Sequence, residues 1–370
     1  MSNFPLTNMA VKMFCPDNVV QLDDAGLPSL LVYIPAFKNS DVLNAGDDST
    51  HPAFIVNGKE IDGFYYSKYQ NVVHNGKAYS LPAENPQTNV NFDTAREHCE
   101  SKGYGWHLST AAEWAAVALW CFKNGFMPNG NNSKGKDVQD EKNKAVPMIY
   151  DSDGSIAIVA TGTGPMTWSH DNTASGIWDM NGNVWEWQSG IRLVWGELQI
   201  LANNDAADPD NPVNTTSTCW KAINAADGSL VEPECTVEGG AVLKGNTVRI
   251  DYVMNSDGTV GYWTYVTEIT NATTGSRNSA FEKLTCTATI GEAAKVRLRA
   301  LALLPDLDIG SATYKNDRVW WTNGANECFV YRGGSCDKGA YCGMFCISGA
   351  YFRTNKGRDI GFRAAYIPNI

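Results

Sequence analysis

Apolar and polar positions divide the chain into four zones. In residues 1–50 the one sustained apolar run is Leu30-Leu31-Val32-Tyr33-Ile34-Pro35, which reads as a strand closed by proline. His51-Pro52-Ala53-Phe54-Ile55-Val56 and Gly63-Phe64-Tyr65-Tyr66 carry the aromatic and β-branched residues of two strands around a Gly58-Lys59 turn. Between 91 and 125 the period becomes helical. Asn91 or Asp93 caps a first helix that runs to about Lys102 and ends at Gly103. Thr110 and Glu113 form a capping box for a second, in which Trp114, Val117, Ala118 and Cys121 recur at helical spacing until Asn124-Gly125. From 126 to 165 the chain is polar, and Asn129-Gly130-Asn131-Asn132-Ser133-Lys134-Gly135-Lys136 reads as a loop without regular structure.

A tryptophan-dense turn follows, Ser175-Gly176-Ile177-Trp178-Asp179-Met180-Asn181-Gly182-Asn183-Val184-Trp185-Glu186-Trp187. Between 196 and 325 the texture shifts to Thr, Val, Asn and Asp with few helix formers. Val248–Val253 and Gly261–Val266 flank Asn255-Ser256-Asp257-Gly258, a hairpin signature. The tail, 328–370, reads as short strands and loops rich in Gly, Tyr and Cys, and no internal repeat is visible.

Composition narrows the functional classes. The 370 residues, 43% hydrophobic and 19% charged, can bury a core without disulfides or metals and are long for one domain. A net charge of −11 argues against a nucleic-acid binder or an anionic-membrane binder. No apolar run approaches the roughly 18–20 residues that span a bilayer. Met1-Ser2-Asn3-Phe4-Pro5 lacks the pattern of a signal peptide, so none is expected. Ten cysteines are too sparse for a disulfide scaffold, yet Cys328, Cys336, Cys342 and Cys346 crowd into the tail. No P-loop, dinucleotide fingerprint or nucleophile elbow is present. The five histidines (His51, His74, His98, His107, His170) include no i, i+4 pair, and His98 and His107 are expected to cap or pack near the two helices.

Four segments, in order, resemble the formylglycine-generating-enzyme-like family. They are Ile34-Pro35-Ala36-Phe37; Asn89-Val90-Asn91-Phe92-Asp93 through Ser109-Thr110-Ala111-Ala112-Glu113-Trp114; Asp179 through Trp187; and Arg332-Gly333-Gly334-Ser335 with Gly361-Phe362-Arg363. The resemblance implies an α+β, C-type-lectin-like fold over 30–195 and 326–370. Residues 1–30 then form an N-terminal arm and 196–325 a β-rich insertion. Gly182 and Gly333-Gly334 suit backbone conformations closed to other residues, and Trp178, Trp185 and Trp187 are expected to pack the core.

In the catalytic members two tail cysteines carry out copper-dependent oxidation, three and eight residues after the serine of Arg-Gly-Gly-Ser. Those positions are Lys338 and Gly343 here, and neither supplies a thiolate. The helical domain of the three-histidine iron branch is also missing. The expectation is therefore no enzyme, no catalytic residue and no required cofactor. The resemblance does imply a calcium site, whose ligands map to the Asp179 and Glu186 side chains and the Gly182 and Val184 carbonyls. These are oxygen donors of the kind calcium takes. The alternative is a metal-free turn in which Glu186 accepts from backbone amides and Asp179 caps.

A third branch comprises the variable proteins of diversity-generating retroelements, whose C-terminal segment is rewritten at template adenines. The segment 332–363 resembles such a variable region. Adenine substitution of an Asn codon cannot give Gln, Glu, Trp, Met or Lys, and between Ser335 and Asp359 only Lys338, Met344 and Lys356 fall outside the reachable set. The ligand-binding set expected from this is Ser335, Cys336, Asp337, Tyr341, Cys346, Ser348, Tyr351, Phe352, Thr354, Arg358 and Asp359, with Trp320 and Trp321 at the rim. Tyr341, Tyr351 and Phe352 offer rigid contact area; the alternative is that they are buried core. The tail cysteines pair, are buried, or are products of substitution. The expected function is non-enzymatic recognition of a protein or glycan on a target cell surface, from a phage tail or a bacterial surface. No nucleic acid and no membrane insertion are expected, and an oligomer is compatible. The competing readings are an oxidoreductase of the formylglycine-generating type and an inert phage structural decoration.

Overall fold

The computed structural model describes residues 4–255, 261–368 and 370. A five-stranded antiparallel sheet runs in the order Asn18–Leu22, Pro28–Pro35, Gly63–Ser67, Ala364–Tyr366, Trp106–Leu108. The chain's last strand thus sits inside the sheet begun by its first. The proline-closed run is there, as Pro28–Pro35. Only Ile55–Val56 and Lys59–Glu60 pair around Gly58. Pro52–Phe54 is a 3-10 turn instead of strand, because His51 Nδ1 accepts from the Ala53 N–H and Pro52 presets the first turn.

Both expected helices form, Phe92–Glu100 and Ala111–Lys123. Asn91, rather than Asp93, caps the first by accepting from Thr94 N at 2.9 Å. The Thr110–Glu113 box is reciprocal, at 3.1 and 3.0 Å. Glu113 also holds His107 Nε2 at 2.8 Å, while His98 Nδ1 meets the Gly76 carbonyl. Helices at Phe4–Phe14, Asn39–Val42 and Glu292–Ala300 were not signalled. Among the described residues no helix is long and apolar enough to cross a membrane.

The expectation of no regular structure around 129–136 is only partly met. Lys136–Asp137 pairs with Asp140–Lys144, and Pro147–Tyr150 with Ile156–Val159. The reason is that Asn131 and Asn132 are buried and serve as backbone partners: Asn131 Oδ1 accepts from Gly135 N and Asn132 Oδ1 from Val138 N.

The larger sheet follows the path Arg277–Ala280, Arg318–Trp321, Gly343–Tyr351, Cys328–Gly333, Trp185–Val194, Glu197–Ile200, Lys244–Val253, Tyr262–Glu268, Thr285–Cys286. Strands from 196–325 therefore continue the hydrogen bonding of the tail and of Trp185–Val194, and Glu292–Ala300 packs against Ala111–Lys123. Lys244–Val253 and Tyr262–Glu268 pair as the hairpin expected, with residues 256–260 of its turn outside the described residues. The sheet separates two cores. Val319, Trp321, Val330, Phe345 and Ile347 join the core around Trp114, while Trp320, Phe329, Tyr331 and Cys346 join the one around Trp185 and Trp187. Alternate residues of a strand face opposite sides, and that alternation decides what reaches the surface.

Candidate functional site

Five strands, Arg318–Trp321, Cys328–Gly333, Gly343–Tyr351, Trp185–Val194 and Ile360–Phe362, bring the site together. Ser348 lies opposite Tyr331 on one side and beside Trp320 on the other, and Trp185 pairs with Ile360. These residues line a cleft of about 320 Å³ with Ser276, Lys338, Tyr351, Asn355, Lys356, Gly357 and Asp359. Its wall is aromatic. The Trp185 ring stands edge-on to Trp320 at 5.7 Å and to Tyr331 at 5.0 Å, and Tyr351 lies 5.1 Å from Tyr331. Burial, with Tyr351 alongside, raises the Tyr331 phenol, which stays protonated at neutral pH. Lys338 and Lys356 bring ammonium groups, and Asp337 holds Lys338 at 2.9 Å. The excursion carrying Tyr351 to Asp359 is tied down. Arg353 forks onto Asp93 at 3.0 and 2.7 Å, and the Arg353 and Gly357 carbonyls accept from Phe92 N and Asn89 N.

Of the expected binding residues, Trp320, Ser348, Tyr351 and Asp359 meet in the cleft. Tyr341, Phe352, Asp337, Thr354 and Arg358 are exposed but do not line it. Tyr341 packs under the Arg318 guanidinium at 4.5 Å, and Arg358 pairs with Asp151. The three tail aromatics Tyr341, Tyr351 and Phe352 are 43%, 41% and 48% exposed, which removes the buried-core alternative for them. Four expected positions are corrected. Trp321 is 1% exposed because period-two alternation turns it away from Trp320 into the other core. Cys346 is wholly buried beneath Ser348's face. Cys336 packs on Ala157, Ile158 and Val184. Ser335 is buried, its Oγ 3.0 Å from Asp337 Oδ1. Lining residues outside the expected set are Trp185 and Tyr331, read as scaffold or passed over, Lys338 and Lys356, set apart as unreachable codons, and Ser276, Asn355, Gly357 and Ile360. Crossing from Ser348 to the residue opposite it on the partner strand reaches Tyr331, a register that only the folded sheet sets; nothing local marks Ser276. A larger cavity, about 650 Å³, lies elsewhere, between Tyr33, Phe37, Trp120 and His170, and no tail residue lines it.

All ten cysteines are free thiols. Burial pushes Cys336 up to about 12 and raises Cys342 and Cys346 well above the ordinary thiol range. Gly334 explains the crowding: at φ +85, a Cβ there would sit 2.2 Å from Cys342 Sγ.

Directly behind the cleft, the Asp179–Glu186 turn closes on a buried polar bundle of Gln70, Asn183, Glu186 and Arg363, none more than 1% exposed. Gly182 makes the closure possible, since a Cβ on it would meet the Asn131 carbonyl oxygen at 2.2 Å. Arg363 donates to both Glu186 oxygens at 2.9 and 2.8 Å and to the Ser67 and Trp178 carbonyls. The Gly182 and Val184 carbonyls and a Glu186 oxygen do converge, as the calcium mapping requires, but around Gln70 Nε2, which donates to them at 3.4, 3.0 and 3.0 Å. Asp179 contributes its backbone carbonyl at 3.1 Å. Its carboxylate instead accepts from Gly162 N, and burial pushes it up to about 6. The spacing matches N–H···O bonds and exceeds the roughly 2.3–2.6 Å of calcium–oxygen contacts. The residues as placed do not fit a calcium ion.

Comparison with known proteins gives three results. The model of the sulfatase-modifying factor enzyme 1-like domain matches residues 40–256, more than half of the chain. None of the curated proteins matches. Among solved structures, the chain is similar to the Major Tropism Determinant P3c variant (10% identity, TM-score 0.29, covering 94% of this chain and 71% of that one). It is also similar to Treponema denticola variable protein 1 (12%, 0.34, 95% and 99%) and to PvdO from Pseudomonas aeruginosa (12%, 0.31, 94% and 97%). The capped helix pair and the Trp-Glu-Trp turn lie within the matched residues. The chain belongs to the sulfatase-modifying factor enzyme 1-like (formylglycine-generating-enzyme-like) family and has its α+β, C-type-lectin-like fold.

Proposed function

We propose that this chain recognises a ligand on a target cell surface, without catalysis, through the Trp320–Ser348–Tyr351–Asp359 cleft. In this reading the segment 332–363 is a variable region rewritten by a diversity-generating retroelement, and the chain is the receptor-binding protein of a phage tail. The observation that carries the proposal is the convergence, from a paired strand and the loop that follows it, of substitution-reachable residues (Ser348, Tyr351, Asn355, Asp359) with large aromatic rings in one open cleft. Rigid aromatic area with adaptable polar groups suits either a protein surface or a glycan. The reading is supported by sequence offset as well, since Lys338 stands three residues after Ser335, where an oxidase of this family carries its first cysteine. The neighbouring Cys336 and Cys342 are too buried to ionise at neutral pH.

The test has two arms. Sequencing the 3′ end of the gene across clones is expected to show variation at adenine-templated codons between Ser335 and Asp359, sparing Cys346 and Met344 in the core; an invariant tail refutes diversification. Binding of the labelled protein to candidate host cells is expected to fall with Tyr351→Ala and Asp359→Ala at unchanged Tm. Binding indifferent to both changes removes the cleft from the function, and an inert decoration then remains.

A further inference from the structure

We infer that the side-chain amide of Gln70 takes the place of a structural cation, so that the turn behind the binding cleft is held without calcium. Four oxygens, the Asp179, Gly182 and Val184 carbonyls and Glu186 Oε1, surround a single point in the buried bundle. Oxygen atoms brought together in this way repel one another unless a positive group stands between them. The group found there is Gln70 Nε2, whose two N–H bonds are shared among four acceptors. Its orientation is fixed from behind. Gln70 Oε1 accepts from Asn183 Nδ2 at 2.9 Å, and Asn183 Oδ1 accepts from Val159 N and Asn131 Nδ2. Turning the amide over would face its oxygen to four oxygens and its NH₂ to a donor, so only one arrangement is satisfied.

The remaining negative charge, on Glu186, is answered by Arg363 from the opposite side. One cation would have supplied both charge and geometry; the chain divides these between a neutral amide at the centre and a guanidinium at the edge. Because Trp185 stands between Val184 and Glu186, the same turn sets the back wall of the cleft. The cleft's shape is therefore independent of calcium concentration. This inference concerns the bundle alone and stands whether or not the cleft is the recognition site.

Thermal unfolding of the full chain in millimolar EDTA and in millimolar calcium chloride decides the first part. The expected result is one Tm in both, with no saturable heat when calcium is titrated into the protein; a calcium-dependent rise in Tm overturns the inference. Gln70→Glu decides the second part, because it puts a carboxylate where the amide nitrogen stood. It is expected to lower Tm in EDTA and to recover it in calcium. A Gln70→Glu protein as stable as the parent in EDTA overturns the surrogate role. If that variant does not fold unaided, its refolding yield with and without calcium reads the same difference, and the parent's calcium response is unaffected.

Discussion

The buried bundle and the open cleft are built from adjacent residues and have opposite tolerances. Trp185 and Glu186 are neighbours on one strand; period-two alternation sends the first to the cleft and the second to the bundle. In the bundle each side chain is another's partner: Arg363 serves Glu186 and two carbonyls, and Gln70 serves four oxygens and is served by Asn183. Removing one leaves a buried group unpaired, which is the expensive outcome. In the cleft, Tyr351 and Asp359 face solvent and lean on a sheet whose hydrogen bonds are backbone ones. Those bonds do not depend on which side chain is present. The division keeps the fold's energy in residues that a change of side chain in the cleft does not touch.

Four changes test that division, in falling order of effect on stability. Arg363→Ala strands Glu186 in the bundle and is expected to cost about 3–5 kcal/mol in urea unfolding; a cost near that of a surface change would mean the bundle is dispensable. Acid acts next, and again on the scaffold. His51 is wholly buried, donating from Nε2 to the Ala300 carbonyl and accepting at Nδ1, and burial lowers its pKa from 6.5 to about 4. Its stabilising contribution is complete above pH 6.5 and is lost as pH falls toward 4. The loss is expected to reach up to about 3 kcal/mol, checked by Tm against pH for the parent and a His51→Gln variant. Thr110→Ala opens the capping box of Ala111–Lys123 and is expected to cost about 1 kcal/mol. Tyr351→Ala, in the cleft, is expected to change stability by no more than about 0.5 kcal/mol while weakening cell binding at least about tenfold. A large stability loss from Tyr351→Ala would erase the contrast between the two regions.

What could be read in the sequence was what short range decides. Asn91, Thr110 and Glu113 act within one helical turn, so the caps and both helices were legible. The Leu30–Pro35 strand and the Lys244–Glu268 hairpin carry their own composition. The order of motifs identified the family because Gly182, Gly334 and the tryptophans meet local backbone and packing demands. Less visible were elements whose stability comes from elsewhere. Glu292–Ala300 has a weak pattern of its own and gains its apolar cover from Ala111–Lys123. The strands after Lys136 depend on buried asparagines that the sequence presented as loop residues.

The cleft shows the same limit. Sequence placed variation between Ser335 and Asp359 and named Tyr351, Ser348, Asp359 and Trp320, but it could not separate these from Cys346, Ser335 or Trp321. Alternation would have divided Trp320 from Trp321, since it is a property of any strand. That Ser276, Trp185 and Tyr331 come to the same cleft required strand pairings that only the fold makes, the strand of Trp185 with that of Tyr331 across more than a hundred residues, and Arg277–Ala280 with Arg318–Trp321 and that strand with Gly343–Tyr351. Gln70 is the clearest case. Nothing near it in the chain suggests a role, and the four oxygens that define its role belong to residues 179–186. Sequence alone determined the family and the two capped helices, Phe92–Glu100 and Ala111–Lys123. Tertiary structure decided which tail residues line the cleft and what fills the centre of the turn, because both depend on atoms that only folding brings within a few ångströms.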